Sequence, residues 1–182
     1  MEVLNTFIHD IKIILPKTFE DNRGSFFENY NKKKFDEKIN QKISFVQDNC
    51  SISNKNVLRG LHYQLPPFDQ SKLISVQKGE IFDVAVDIRR SSSSFGKWVG
   101  YYLSEKNKKS IWIPKGFAHG FLVISPIAKV LYKTDNFYNK NSERSIIWND
   151  SQLNINWPLK GLPIQSIKDK NANKFGESEI FE

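Results

Sequence analysis

Two of the three histidines lie in short segments that are dense in groups able to do chemistry. His62 lies within the polar and aromatic run Arg59-Gly-Leu-His-Tyr-Gln64, and His119 is followed directly by Gly120. Glycine beside a functional side chain lets the backbone approach a ligand closely. His9 has no such surroundings, so we assign it to the surface. The two remaining histidines are the first candidates for acid–base work.

The other candidate groups also favour proton transfer. The acid–base and cationic side chains of interest are His62, Lys72, Tyr132, Asp169, Arg23 and Arg59. This set suits proton transfer at a carbon atom rather than hydrolysis or redox chemistry. The chain contains no Gly-x-Ser-x-Gly, Gly-x-Gly-x-x-Gly or Walker-type loop. A nucleophilic serine elbow, a dinucleotide site and a phosphate cradle therefore lack their usual sequence signals.

A metal site is the main alternative for clustered histidines in a small β-barrel. It would need a His-x-His pair with a nearby Glu and a further His, but Tyr63 and Gln64 follow His62. We therefore expect no catalytic metal. The single cysteine, Cys50, excludes an internal disulfide and a cysteine-based zinc site. With no base beside it in the sequence, we expect Cys50 to pack as a small apolar residue.

Short strands must position these groups. Residues Glu80–Ile88 alternate apolar side chains at even positions with mixed side chains at odd positions, which is the period of a strand. Further strands are predicted at Lys72–Gln77, Lys97–Leu103, Ser110–Ile113, His119–Ile124, Lys129–Thr134 and Ser145–Trp148. Turn residues separate them at the spacing typical of a sandwich, jelly roll or barrel. We predict a loop at Ser53–Asn56 and short helices at Lys32–Ile39 and Ser166–Phe175.

Composition bounds the class of protein. The 182 residues favour a single domain, and 39% hydrophobic residues with 14 Phe, 6 Tyr and 4 Trp exclude disorder. No apolar run approaches the roughly 20 residues of a membrane span, and the first ten residues do not read as a signal peptide. The net charge of +7 fits either a lysine-rich solvated surface or a field that attracts a small anion such as a diphosphate. We expect a soluble, cytoplasmic protein with no nucleic-acid or membrane partner.

Ordered motifs along nearly the whole chain identify it as similar to one family. The chain resembles the dTDP-4-dehydrorhamnose 3,5-epimerases. The matching segments are Asp21–Glu28, Phe45–Asn49, Val57–Gln64, Lys72-Leu73, Asp83–Arg89, Trp112–Phe121, Tyr132–Thr134, Trp148–Asp150 and Ile155–Pro158. Two departures are the four serines at Ser91–Ser94, where relatives commonly carry a Ser-Pro turn, and Lys168, where relatives often carry Arg. The second departure affects bidentate phosphate contact but keeps the charge.

The resemblance implies roles for individual residues. His62 would be the base, oriented by Asp169, Tyr132 the acid on the opposite face of the sugar, and Lys72 the cation that supports the enolate. Arg23, Arg59 and Lys168 would contact the diphosphate and nucleotide, and Tyr138 would stack on thymine. The remaining substrate-binding positions implied by the match are Glu28, Gln47, Asp48, Asn49, His119 and Glu143.

The resemblance also implies the remaining properties of the molecule. We expect residues 1–182 to form one cupin-like jelly roll that works as a homodimer, without metal or organic cofactor, on a dTDP-4-keto-6-deoxyhexose. The implied pathway makes dTDP-L-rhamnose for polysaccharides such as the lipopolysaccharide O-antigen. Three alternatives stay open: an epimerase that inverts only carbon 3 or only carbon 5, a non-catalytic cupin that binds sugar nucleotides, and a metal-dependent cupin enzyme.

Overall fold

Two antiparallel sheets make up most of the molecule. The computed structural model describes residues 1–182. Its strands are β1 Glu2–Asn5, β2 Lys12–Leu15, β3 Thr18–Asp21, β4 Gly24–Phe27, β5 Gln47–Asn54, β6 Leu58–Gln64, β7 Lys72–Lys78, β8 Glu80–Asp87, β9 Trp98–Ser104, β10 Ser110–Ile113, β11 Phe117–Val123, β12 Ile127–Thr134 and β13 Glu143–Ser145. The helices are α1 Lys32–Ile39, α2 Ile167–Lys170 and a single 3₁₀ turn at Phe175–Glu177. The predicted all-β, double-sheet architecture with short peripheral helices is confirmed.

The strand order explains how distant segments meet. One sheet has six strands in the order β1-β2-β10-β7-β12-β5, and the other has five in the order β13-β6-β11-β8-β9. A separate two-stranded ribbon is formed by β3 and β4. Every strand pair in the sheets is antiparallel. Since neighbours in space are mostly not neighbours in the chain, the residues of one face come from several segments.

The alternation in β8 sorts its side chains between two buried faces. Ile81 and Ala85 pack between the two sheets, in a core that also includes residues of β7, β10, β11 and β12. Phe82, Val84 and Val86 point the other way and are covered by the C-terminal segment. The residues of that second core that come from beyond β13 include Ile146, Leu153 and Phe175, with Trp148, Ile155 and Trp157 packed at its edge. Strand β8 therefore buries side chains on both of its faces.

Helix α1 matches its prediction at both ends. The Asn31 side chain accepts a hydrogen bond from the Lys34 backbone N–H and caps the first turn. Asn40 ends the helix in the left-handed conformation, with φ of 57°. Phe35 and Ile39 anchor the helix on the outer face of the six-stranded sheet, beside Trp112.

Several predicted boundaries were wrong. The strand predicted at Ser145–Trp148 lies earlier, at Glu143–Ser145. Ile146 still exchanges two backbone hydrogen bonds with Leu61 of β6, and the chain then turns to the C-terminal segment, where Ile147 N–H donates to the Asn173 carbonyl. The helix predicted at Ser166–Phe175 is confined to Ile167–Lys170, where only Asp169 is buried. An apolar face that could extend this helix is missing.

Two further predictions concerning β5 were wrong. The loop predicted at Ser53–Asn56 begins later, because Ser53 and Asn54 still pair with β12. Cys50 does not pack as an apolar residue but is exposed. Successive side chains of a strand point to opposite faces, so Cys50 points outward between Asn49 and Ser51. None of the helices combines the length and the hydrophobicity that crossing a membrane would require.

Candidate active site

A cleft between the two sheets collects most of the predicted acid–base groups. Two adjoining cavities of about 320 and 250 Å³ share four lining side chains, and those are His62, Lys72, Tyr132 and Glu143. The larger one is also lined by Gln47, Asn49, Tyr63, Gln64, Gln70 and Tyr138. The smaller one is also lined by Ser51, Arg59, His119 and Phe121.

The pairing of β6 with β11 brings the two histidines side by side. His62 lies directly opposite His119 in this ladder, and the register shifts just after it. The backbones meet closely at the shift, because a Cβ atom on Gly60 would lie 2.5 Å from the Gly120 Cα. Gly60 also has φ of +117°, a conformation that side-chain-bearing residues rarely adopt. Two glycines therefore permit the approach that places both imidazoles in one cleft.

A carboxylate orients the ring of His62. Asp169 reaches it from α2 with 2.6 Å between Oδ1 and Nε2, and the Asp169 backbone N–H donates to the capping Ser166 side chain. Burial alone would raise the pKa of Asp169, but the hydrogen bond and charge of His62 outweigh it, so this pKa lies below its ordinary value. With the Nε2 proton held by Asp169, the lone pair of Nδ1 is free of protein partners and can accept a proton.

Tyr132 lies across the cleft from His62, on the other sheet. It belongs to β12 and pairs with Asn49 of β5, whereas His62 belongs to β6 of the five-stranded sheet. Burial raises the pKa of Tyr132 above its ordinary value, Arg59 opposes the rise and Glu143 adds to it. The phenol is therefore protonated at neutral pH and can act as a proton donor.

Lys72 supplies a cation inside the cleft. Its Nζ donates to the His62 carbonyl oxygen at 3.3 Å. Burial lowers the pKa of Lys72 to about 8, and the charges of Asp83 and Glu143 work against that lowering. The ammonium form still dominates at pH 7. A partly desolvated cation stabilises a developing oxyanion more strongly than one in bulk water.

Three side chains close one side of the cleft. The Glu143 carboxylate forms an ion pair with Lys168 and accepts a 2.8 Å hydrogen bond from the Tyr138 hydroxyl. Burial would raise the pKa of Glu143, but these two partners hold it below its ordinary value. The ring of Tyr138 is more than half exposed, as a stacking platform for a planar ligand has to be.

The arrangement can move protons at a carbon next to a carbonyl. A base and an acid face the cleft from different sheets, and the cation Lys72 lines the same cleft from the sheet that carries the acid. Removal of a proton by His62 and delivery by Tyr132 would occur on opposite faces of a bound ring. In the whole chain, no three His, Cys, Asp or Glu side chains are arranged to hold a metal ion.

Comparison with known proteins agrees with the chemistry inferred from the cleft. A family model described as dTDP-4-dehydrorhamnose 3,5-epimerase matches residues 5–177. The Shigella flexneri protein of that name is 54% identical over 181 residues, which cover 100% of this chain and 99% of that protein. The chain belongs to the dTDP-4-dehydrorhamnose 3,5-epimerase family.

Solved structures of the family share the fold. RmlC from Legionella pneumophila Philadelphia 1, a dTDP-6-deoxy-D-glucose-3,5-epimerase in complex with dTDP-4-keto-L-rhamnose, superposes with a TM-score of 0.95. It is 49% identical, and the match covers 98% of this chain and 94% of that one. ChmJ, a 3'-monoepimerase from Streptomyces bikiniensis in complex with dTDP-quinovose, has a TM-score of 0.89 at 27% identity, covering 94% and 87% of the two chains. The jelly roll of this epimerase family is thus the fold of the chain.

Three residues that the family match assigns to substrate lie outside the cleft of their own chain. Arg23 lies on the β3–β4 ribbon, 85% exposed and paired with Asp21. Glu28 bonds to Asn31 and Lys34. Asp48 forms a salt bridge with Lys133, because it points to the opposite face of β5 from its neighbours in the cleft. None of the three side chains is among those that line the cleft.

The structure adds lining residues that the sequence did not single out. Ser51 continues the inward row of β5 that begins with Gln47 and Asn49, so the period of two was an available signal. Its hydroxyl is buried without a partner. Gln70 and Phe121 line the cleft without any comparable local signal.

Proposed function

We propose that the protein inverts carbons 3 and 5 of dTDP-4-dehydro-6-deoxy-D-glucose and so makes dTDP-4-dehydro-L-rhamnose. The observation that carries this proposal is the pair of His62 and Tyr132, which line one cleft from opposite sheets together with Lys72. Inversion at a carbon needs a base on one face and an acid on the other. The same activity is named for the relatives that are 54% and 49% identical.

Each inversion takes two proton transfers. The carbon-4 carbonyl acidifies the neighbouring C–H, and Nδ1 of His62 takes that proton while the bonding electrons move onto the carbonyl oxygen. Asp169 stabilises the imidazolium, and the Lys72 ammonium stabilises the enolate oxygen. The Tyr132 hydroxyl then gives its proton to the carbon from the opposite face, and the carbonyl re-forms. Proton exchange with solvent resets both groups before the second carbon reacts.

The nucleotide end of the substrate fits the polar side of the cleft. Arg59 and Lys168 provide cationic donors for the diphosphate, with Lys168 exchanging its Glu143 partner for phosphate. Gln47, Asn49 and His119 offer further hydrogen bonds, and Tyr138 stacks on the thymine ring. Gln47 and Asn49 already bond to each other at 2.9 Å, so both side chains are held toward the cleft before substrate binds.

A homodimer accounts for the residues outside the cleft. If Arg23 and Glu28 contact substrate, they reach the cleft of a second copy, since they do not reach their own. The β3–β4 ribbon carries the exposed rings of Phe19 and Phe26 and stands apart from both sheets. We infer that this ribbon packs on the partner and brings Arg23 to the partner's diphosphate, while Asp48 acts from the rim.

The remaining assignments follow from the same chemistry. Residues 1–182 act as one domain, and the proton transfers need no metal or organic cofactor. The single exposed Cys50 suits a reducing compartment, so we place the reaction in the cytoplasm, within dTDP-L-rhamnose synthesis for polysaccharides such as the O-antigen. Neither a nucleic acid nor a membrane takes part.

Proton NMR of the substrate in deuterated water tests the activity. We expect deuterium to enter at both carbon 3 and carbon 5, with formation of the L-rhamno product. Entry at one carbon only would indicate a single-carbon epimerase such as the 3'-monoepimerase, whose identity to this chain is 27%. No exchange at either carbon, together with tight dTDP binding, would indicate a sugar-nucleotide-binding module.

A further inference from the structure

Asp83 is a fully buried carboxylate that the proposed proton transfers leave unused. It lies on β8 with no exposed surface, and its Oδ2 is 2.9 Å from Nε2 of His119. Its second oxygen, Oδ1, is buried without any hydrogen-bond partner. An ionisable group with an unpaired buried oxygen is costly to keep, so its presence requires a compensating interaction.

The register of the sheet brings Asp83 under the cleft. His119 pairs with Ala85 in the β8–β11 ladder, so Asp83 is its diagonal neighbour two residues away. Odd-numbered side chains of β8 point between the sheets, toward β7 and β12. Lys72 of β7 lines the same cavity as the His119 ring that Asp83 contacts.

The surroundings of the Lys72 ammonium contain few charges. The ionisable groups that face it come from β6, β8, β11, β12 and β13, and they are Arg59, His62, Asp83, His119, Tyr132 and Glu143. Only Asp83 and Glu143 among these are carboxylates. Glu143 is already shared between Lys168 and Tyr138. Asp83 is thus the one carboxylate near Lys72 that has an oxygen to spare.

We propose that Asp83 is a positioning residue for the epimerisation, which keeps Lys72 charged beneath the substrate carbonyl and fixes the ring of His119. This inference rests on the proposed function. The carboxylate acts through Lys72 and His119, since it does not line the cleft itself. By accepting the Nε2 proton it leaves Nδ1 of His119 without a protein partner, free for the substrate.

The electrostatics give the direction of the effect. Burial lowers the pKa of Lys72 to about 8, and the Asp83 charge opposes that lowering. Burial raises the pKa of Asp83, and the charges of His119 and Lys72 oppose that rise. Removing the negative charge of Asp83 therefore deprotonates Lys72 at a lower pH. The enolate would then lack the Lys72 cation over a pH range in which Lys72 of the native enzyme is still protonated.

The substitution Asp83→Asn tests the proposal, because the amide oxygen can still accept the His119 Nε2 proton while the charge is gone. We expect the basic limb of kcat/KM to move down by about one pH unit or more. For a one-unit shift from about 8, the variant loses about five-fold in rate at pH 8 and recovers to near the wild-type rate at pH 6. The affinity for dTDP should not change. Should Asp83→Asn give no folded protein, Asp83→Ser removes the same charge and leaves room for a water molecule beside His119.

Asp87→Asn is the matched control. Asp87 lies on the same strand, is equally buried and pairs with Arg89 instead of Lys72. We expect this variant to lose stability without any movement of the basic limb.

A second readout does not depend on activity. The ¹³Cε resonance of Lys72 in the unliganded protein, assigned by its loss in Lys72→Met, should titrate at lower pH in Asp83→Asn than in wild type. An unchanged titration, or a rate ratio between variant and wild type that is the same at pH 6 and pH 8, would overturn the role of Asp83. If the wild type itself exchanges no substrate protons, the proposed function fails, and the lysine titration still decides the electrostatic coupling.

Discussion

His62 and His119 each hold a carboxylate against Nε2, yet their surroundings suit them for different tasks. The side chain of His62 is 30% exposed and that of His119 is 10% exposed, and they are paired with Asp169 and Asp83 respectively. The more open imidazole can receive a substrate proton and pass it to solvent. The deeper one is better suited to hold a fixed hydrogen bond to the substrate.

Replacing His62 by Asn should remove the general base. We expect a loss of at least about 10²-fold in epimerisation, the usual contribution of such a group, with nearly normal dTDP binding. Deuterium incorporation into substrate from heavy water measures the step directly. Exchange at the wild-type rate in this variant would mean that another group takes the proton.

Replacing Tyr132 by Phe should separate exchange from inversion. His62 can still remove the proton and return a deuteron to the same face, but the donor on the opposite face is gone. We expect deuterium in recovered substrate and little product. Measuring exchange by NMR and inversion by product analysis in one sample checks this, and inversion at the wild-type rate would exclude Tyr132 as the acid.

The buried Lys72 ammonium should lower the free energy of unfolding at neutral pH. A lysine pKa lowered to about 8 means that the unfolded chain binds more protons than the native state between that pH and the ordinary value near 10.5. The free energy of unfolding therefore rises with pH across that window. Below pH 8 the buried ammonium destabilises the native state by its full amount. Lys72→Met should stabilise the protein by roughly 1–3 kcal/mol at pH 7 and abolish epimerisation.

Chemical unfolding at pH 7 and pH 10 measures this effect. The gain of Lys72→Met over wild type should shrink at the higher pH. Lys78→Met, on the exposed end of the same strand, is the control and should change stability little at either pH. A loss of stability for Lys72→Met at pH 7 would contradict the expectation.

Among the secondary-structure elements, the antiparallel pair β6 and β11 is the feature on which the cleft depends. The register shift next to His119 and the close approach of Gly60 to Gly120 set the separation of the two strands. Both histidines project from this pair of strands. A wider separation of the two strands would displace His62 and His119 together.

Gly60→Ala should therefore impair stability and catalysis at once. The added Cβ would meet the Gly120 Cα at 2.5 Å and the His119 carbonyl oxygen at 2.7 Å, and both contacts are with backbone that cannot rotate away. We expect a loss of at least about 2 kcal/mol and a strong fall in kcat. Gly161→Ala also has a positive φ but no atom within 4 Å, so it should cost only about 1 kcal/mol and leave kcat unchanged. Urea unfolding and initial rates of both variants distinguish steric conflict from backbone strain alone.

At the scale of the whole molecule, the β3–β4 ribbon is the part that one chain does not explain. Its phenylalanines are exposed, and Arg23 pairs only with Asp21 of the same hairpin. Closed two-fold dimers are the commonest way to bury such a surface. If the partner completes the site as proposed, activity requires both chains.

Subunit complementation tests this arrangement. Arg23→Ala should fold normally and raise KM, since it removes a charged contact to phosphate worth roughly 1.5–3 kcal/mol. Mixing Arg23→Ala with His62→Asn should restore activity, because one site of the mixed dimer then combines an intact His62 with the partner's intact arginine. Light scattering should give twice 21.2 kDa. A monomer, or a mixture no more active than its components, would exclude the shared site.

The local features of this protein can be predicted from its amino-acid sequence. The alternation along β8 and the turn residues between the predicted strands indicated an all-β double sheet. The segment around His62 and the ordered family motifs indicated proton transfer at carbon. These features depend on a few neighbouring residues, since the two-residue period of a strand is a property of the backbone.

Which chemical groups come into contact depends on the tertiary structure. Asp169 lies 107 residues from His62 and Asp83 lies 36 residues from His119, and no local pattern links the members of either pair. The register of antiparallel strands and the packing of one sheet on the other bring them together. The same registers turn Asp48 away from the cleft and leave Arg23 outside it. The position of each of these side chains results from many contacts between residues far apart in the chain. The residues nearest in sequence therefore carry little information about it.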